Sequence, residues 1–282
     1  MSDAKTVYPL TRRDVVRGTA LLPIAGAAPI SGASAADPAR WSPVPNGGQV
    51  AINGVRFEAQ CGKDPRAVQV GANSVVRFTM IAGNGWPKDD PKASERTELA
   101  GWPSAVRLDR PIWCAWSFYF EPGAWTTSDW CILQQMYQVG GSPVVHVLKP
   151  DGTVYWGGVD AANPKASPYR HKQKITQGAW FNFVEVYKFD PVGGAGYWRS
   201  WVNGEQVLNF EGAFGSKGAS HAYAKFGVYR FVYRTWNGID MATLHTPANE
   251  TISVRYANIR FGVEDLSRLV KSPDPIPPMQ PA

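Results

Sequence analysis

Three cysteines and four histidines in 282 residues leave little for metal chemistry, and no metal-site spacing occurs. There is no cysteine quartet, no helical histidine pair beside a glutamate, and no acidic loop of the EF-hand type. No metal or cofactor is therefore expected; a structural calcium held by loop carbonyls would leave no mark in a sequence. Lysine-arginine runs, zinc-finger spacing and a basic helix are all missing, which argues against a nucleic-acid partner. No apolar run reaches the roughly 20 residues of a membrane span. The chain also lacks an extended helical period, an internal repeat and the glutamate-x-aspartate-x-x-glutamate strand of one glycosidase type, whose chemistry needs two carboxylates flanking the bond.

The N-terminus carries Thr11-Arg12-Arg13-Asp14-Val15-Val16, a weakly apolar run over 18–30 broken by Pro23, Gly26 and Pro29, and the small-residue stretch Ala33-Ser34-Ala35-Ala36. This order predicts a twin-arginine export signal over 1–36, and hence a periplasmic or secreted protein. The formal net charge is +6, and the signal, with Lys5, Arg12, Arg13 and Arg17 against Asp3 and Asp14, leaves +4 to the rest. That mild excess favours an anionic partner. Outside the cytoplasm, acidic polysaccharide is the anion to expect. In an oxidising compartment Cys114 and Cys131 could bridge, leaving Cys61 over, or all three could be buried thiols.

Asn53-Gly54, Asp151-Gly152 and Asn203-Gly204 each separate apolar or alternating runs, the strongest short-range hairpin signal. Segments 75–80, 113–120, 181–189, 197–202 and 252–261 are rich in β-branched and aromatic residues. In the last, Ile252, Val254 and Tyr256 share one parity while Ile259 and Phe261 share the other, which predicts a bulge near Ala257-Asn258. Many strands without helices predict an all-β jelly-roll sandwich of two antiparallel sheets, concanavalin A-like, over 37–268. A Pro-rich tail, 269–282, is expected to lie outside it in extended form. The domain is expected to be a monomer. Twelve tryptophans exceed what the core needs, so Trp86, Trp102, Trp125 and Trp236 are candidates either for stacking on sugar rings or for half-buried packing.

In Tyr223-Ala224-Lys225-Phe226-Gly227-Val228-Tyr229-Arg230, strand alternation puts Tyr223, Lys225, Gly227 and Tyr229 on one face. A cation, a gap and a phenol then share a surface. Arg96 and Glu98 in Arg96-Thr97-Glu98-Leu99 repeat the device, and side by side two such strands would form a cationic polar groove. Singly, each has a bland reading: Arg96 and Glu98 as an exposed ion pair, Tyr229 as a wall or core aromatic, Gln135 as nothing in particular. Their order along the chain gives them weight together. His171, His221 and His245 read as surface residues.

Arg96-Thr97-Glu98-Leu99 is similar to the arginine-x-glutamate-leucine strand of the alginate lyases, and residues 223–229 match their tyrosine-x-lysine-x-glycine-x-tyrosine strand. Tyr256-Ala257-Asn258-Ile259-Arg260-Phe261-Gly262 is similar to the closing strand of concanavalin-like sandwiches. Over residues 50–262 the chain thus resembles the jelly-roll polysaccharide lyases, the group of alginate, glucuronan and heparin-type lyases. It departs from them at Gln135-Met136-Tyr137, where the family carries glutamine-x-histidine, and at Ala100, where an arginine often stands. The missing histidine leaves the base open, with Tyr229 or His146, on the strand expected over 143–148, as candidates.

The resemblance implies β-elimination from a uronate-containing polysaccharide, which needs a neutralised carboxylate, an acceptor for the C5 proton and a donor to the departing O4. Arg96 and Gln135 would meet the carboxylate, Glu98 would hold Arg96, and Tyr229 would move the protons. Lys225, Tyr137, Tyr223 and Arg230 are the remaining expected substrate contacts. A non-catalytic carbohydrate-binding sandwich is the alternative that the surplus tryptophans and the missing histidine suggest.

Overall fold

The computed structural model describes residues 41–276 apart from 82, 90–93, 123–130, 140, 150–151, 159–168, 232–234, 237–238 and 241–250. The export signal, Trp125, the Trp236 side chain and His245 lie outside the described residues.

The chain folds as a β-sandwich, with a single short α-helix, Arg268–Lys271, among the described residues. One sheet runs in the spatial order Ser42–Pro43, Val68–Val70, Val76–Ile81, Thr251–Gly262, Ile112–Phe120, Trp180–Lys188, Tyr197–Val202 and Glu205–Glu211. The other runs Tyr169–Lys174, Thr153–Gly158, Gly141–Leu148, Cys131–Gln138, His221–Phe231, Ser94–Ala100, Val55–Gln60 and Gln49–Ile52, with Val106–Arg107 beside His221–Phe231. The pairings within both sheets are antiparallel, as a chain of hairpins and crossovers without helices requires.

Local chemistry sets the turns and bends. Asn53 and Gly54 have φ of 48° and 81°, and Asn203 and Gly204 have 50° and 89°, the left-handed pair that matches the twist of a two-residue hairpin. The long strand Thr251–Gly262 shifts register between Ala257 and Arg260, with Asn258 at φ 56°, so the expected bulge is present. It lets Ile252, Val254, Tyr256, Ile259 and Phe261 all face inward despite their mixed parity.

Between the sheets, Trp116 stacks on Phe183 at 4.0 Å, and Phe57, Leu99, Met136 and Phe226 meet them from the opposite layer. Full burial of such a side chain is worth about 1.5–3 kcal/mol, so this layer supplies the main cohesion of the sandwich. Tyr256 pins the layers together by donating to the carbonyls of Leu133, at 2.8 Å, and Gly227, at 3.0 Å.

One open alternative is settled and one expectation changes. Cys114 and Cys131 sit on strands of different sheets, and all three cysteines are free and buried; burial alone pushes the Cys61 thiol up to about 11. The chain after 268 is not clear of the sandwich either. Leu266 and Leu269 pack on Ala115 and Val184, and Arg260 forks onto Asp274 at 2.6 and 2.9 Å, so 269–274 is bound to the outer face of the first sheet.

Candidate active site

Register brings the expected residues together on the outward face of the second sheet. Arg96 pairs with Tyr229, Glu98 with Gly227 and Ala100 with Lys225; across the other edge of the same strand Lys225 pairs with Gln135 and Tyr223 with Tyr137. Side chains two apart on a strand share a face, so three adjacent strands supply Arg96, Glu98, Gln135, Tyr137, Tyr223, Lys225 and Tyr229 to one surface.

Glu98 is the hub. It is fully buried, accepts a 2.7 Å hydrogen bond from Gln135 Nε2, and lies 3.5 Å from Arg96 Nη1 and 3.6 Å from Lys225 Nζ. A buried carboxylate is tolerable only when paired, and here it orients two cations and an amide at once. Lys225 Nζ donates to Gln60 Oε1 at 3.1 Å, and Ser142 Oγ donates to Gln135 Oε1 at 2.8 Å, fixing which end of the amide meets Glu98. Burial and the charge of Arg96 pull the Lys225 pKa below its ordinary value, against Glu98.

The Arg96 guanidinium lies over the Tyr229 ring at 4.5 Å and over the Trp86 ring at 5.1 Å. Its Nε and Nη2 fork onto the carboxylate of Asp89 at 2.7 and 2.6 Å. Burial works against the Arg96 charge, but Asp89 and Glu98 outweigh it and its pKa is raised. Tyr137 and Tyr223 stand 5.1 Å apart, with Lys225 Nζ 5.4 Å from the Tyr137 ring. Burial, then the neighbouring Tyr137 and Glu98, push the Tyr223 phenol up to about 12, which keeps it protonated at neutral pH.

Two expected site residues are elsewhere. His146 is fully buried between the sheets among Trp116, Trp156, Phe183 and Trp198, with Nδ1 2.8 Å from Gln134 Oε1 and Nε2 3.1 Å from Glu185 Oε1. It pairs in register with Gln134, the inward neighbour of Gln135, so it points away from the outward face. Arg230, one residue past Tyr229, faces inward and is 1% exposed, held by Glu95 at 2.6 and 2.8 Å.

Sequence reasoning missed Asp89, Trp86 as an Arg96 contact, Gln60 and Ser142. Trp86-Pro87-Lys88-Asp89 has the composition of a turn, closed by Asp89 N–H donating to Trp86 O at 2.9 Å, but nothing local says that it folds onto Arg96. Among the other expected tryptophans, Trp102 is 48% exposed. Among the described residues no cluster of three or more His, Cys, Asp or Glu is placed to hold a metal ion, and no helix is long and apolar enough to cross a membrane.

Gly227 is the gap in the row. At φ 144°, a Cβ there would lie 2.2 Å from the Thr97 carbonyl oxygen and 2.7 Å from Glu98 Cα. Gly227→Ala is therefore expected to push the Glu98 strand aside, with backbone strain of about 1–3 kcal/mol before the clash is counted. Denaturant melts should show the lost stability; a variant as stable as the parent would show that the strands are not so closely apposed.

Three strands thus gather an arginine, an amide, a lysine and tyrosines around one buried carboxylate on one face of the sandwich. A family model described as polysaccharide lyase matches residues 59–249, and the chain belongs to that family. Among solved structures, the endo-β-1,4-glucuronan lyase of the fungus Trichoderma reesei is similar over 80% of this chain and 95% of its own, at TM-score 0.50 and 13% identity. The family 7 alginate lyase AlgAT5 is similar over 78% and 92%, at TM-score 0.50 and 12% identity. The family 7 alginate lyase A1-II' is similar over 71% and 84%, at TM-score 0.51 and 14% identity. At these identities the likeness concerns the fold. No protein of curated function matches the sequence.

Proposed function

We propose that this polysaccharide lyase acts outside the cytoplasm on an acidic, uronate-containing polysaccharide, and that its reaction centre is the outward face around Glu98. The observation that carries this reading is the convergence of Arg96, Gln135 and Tyr229 on that face, two of them in contact with one buried carboxylate. The glucuronan and alginate lyases of similar fold point to the same substrate class.

In this mechanism the uronate carboxylate meets the guanidinium of Arg96 and the second N–H of the Gln135 amide. Both favour the charge that builds on the carboxylate as C5 loses its proton. The Tyr229 oxygen takes that proton; the C5–H electron pair forms the C4=C5 double bond, the C4–O4 bond breaks, and O4 leaves with its electron pair. The same phenol then returns a proton to O4, so the step is redox-neutral and needs no co-reactant. With His146 turned inward, Tyr229 is the base of this mechanism. Lys225 and Gln60 are positioning residues: Gln60 holds Lys225, which pairs with Glu98 and adds positive potential beneath a polyanion.

The test is a panel. Residues 37–282, incubated with glucuronan, alginate, hyaluronan and heparin, are expected to generate the ultraviolet absorbance of an unsaturated uronate with at least one of them. Cleavage confined to neutral polysaccharides would overturn the acidic-substrate reading, and binding without cleavage would support the non-catalytic alternative.

A further inference from the structure

The arginine that this reading assigns to the substrate carboxylate already holds a carboxylate. Asp89 takes Arg96 Nε and Nη2 in a two-pronged fork, with its side chain 6% exposed and that of Arg96 16% exposed. Side-on forks of this kind are the strong, geometry-selective form of the arginine–carboxylate pair, and a uronate would seek the same two donors. We propose that Asp89 is an internal stand-in for the substrate's carboxylate: the Trp86–Asp89 turn occupies Arg96 in the free enzyme and is displaced by a uronate when the polymer binds. This rests on the function proposed above.

Three features support displacement over a fixed orienting role. Arg96 has an orienting partner without Asp89, because Glu98 approaches its Nη1 from the next position but one on the same strand. Asp89 comes instead from outside the sheet, on a turn in which, among the described residues, Asp89 N–H donates to Trp86 O at 2.9 Å. Charge points the same way. With Asp89 docked, Arg96 and Lys225 are balanced by Asp89 and Glu98, and the centre is neutral; with Asp89 withdrawn it carries one net positive charge, on the group a uronate needs.

The consequence for affinity is arithmetical. If the fork is open in about one molecule in ten, the apparent dissociation constant for a uronate is about tenfold weaker than that of the open site. Such a plug would select for polymers presenting several carboxylates, which compete with a tethered aspartate better than a lone acid does.

Asp89→Asn keeps the shape of the turn and removes the charge, and two measurements separate the outcomes. On a uronate polymer that the parent cleaves, kcat/KM is expected to rise about tenfold through a lower KM; an unchanged or lower kcat/KM overturns the proposal while leaving the lyase reading intact. Separately, free glucuronate is titrated into parent and variant while the Arg96 Nε–H resonance, assigned by its absence in Arg96→Lys, is followed by NMR. The resonance is expected to shift at about tenfold lower glucuronate in the variant. Equal response, or none in either protein, overturns the proposal. A tenfold difference in a protein that cleaves no uronate polymer would uphold carboxylate exchange and remove the proposed function instead.

Discussion

Tyr229→Phe is expected to lower kcat by about 10²- to 10⁴-fold with KM little changed, since positioned proton transfer contributes roughly that much to rate. The magnitude corresponds to about 3–5 kcal/mol of transition-state stabilisation. The substitution removes one oxygen and leaves the ring that lies 4.5 Å from the Arg96 guanidinium, so the face keeps its shape and its cation. Initial rates over a range of polymer concentration would separate the two parameters. A loss smaller than about fivefold would move the base to another group, with Tyr137, on the same face, the next candidate.

His146→Ala is expected to act through stability. His146 and Gln134 on one sheet and Glu185 on the other form a buried polar bridge, in which Glu185 also accepts from Tyr187 Oη and, at 3.3 Å, from Trp198 Nε1. Burial opposes the Glu185 charge, but His146, Tyr187 and Ser200 outweigh it, and the carboxyl stays below its ordinary range. Removing the imidazole leaves a carboxylate in an apolar layer, a change that costs about 3–5 kcal/mol in comparable buried pairs. For a chain of this size that is a fall in Tm of roughly 6–20 °C. Replacing both partners, His146→Leu with Glu185→Leu, should restore much of it, because the expense lies in the orphaned charge. A depressed carboxyl pKa adds stability above the unfolded value of about 4.3, and that share is lost as pH falls through the folded value, so the parent should lose more stability in acid than the double variant. If His146→Ala instead melted like the parent and lost only turnover, His146 would belong to the reaction after all.

The contrast between Tyr229 and His146 shows what a strand pattern carries. Along 223–229 polar and apolar residues alternate, so parity alone assigns Lys225, Gly227 and Tyr229 to one face, and the sheet has them there. The same parity excludes Arg230, whose inward side chain needed only that rule to be placed correctly. Along Gly141–Leu148 the residues around His146 are valines on both parities, so neither face declares itself, and register shifts between Gly141 and Val144 and between His146 and Val147 complicate the count. The bulge at Ala257-Asn258 was legible because five large apolar residues change parity across it. Asp89 was not, since a turn closed over four residues says nothing about which strand it lands on. The docked segment 269–274 was hidden in the same way: its leucine and aspartate find partners across the sheet, at Val184 and Arg260.

The most direct measurement is the mass of the product, together with its absorbance, after the protein has cut a glucuronan or alginate chain. Elimination at the face of Arg96, Gln135 and Tyr229 requires a new non-reducing end one water lighter than a hydrolytic product and absorbing in the ultraviolet, both lost with Tyr229→Phe. A saturated end carrying the added water, or an unsaturated end formed equally well by Tyr229→Phe, would contradict it.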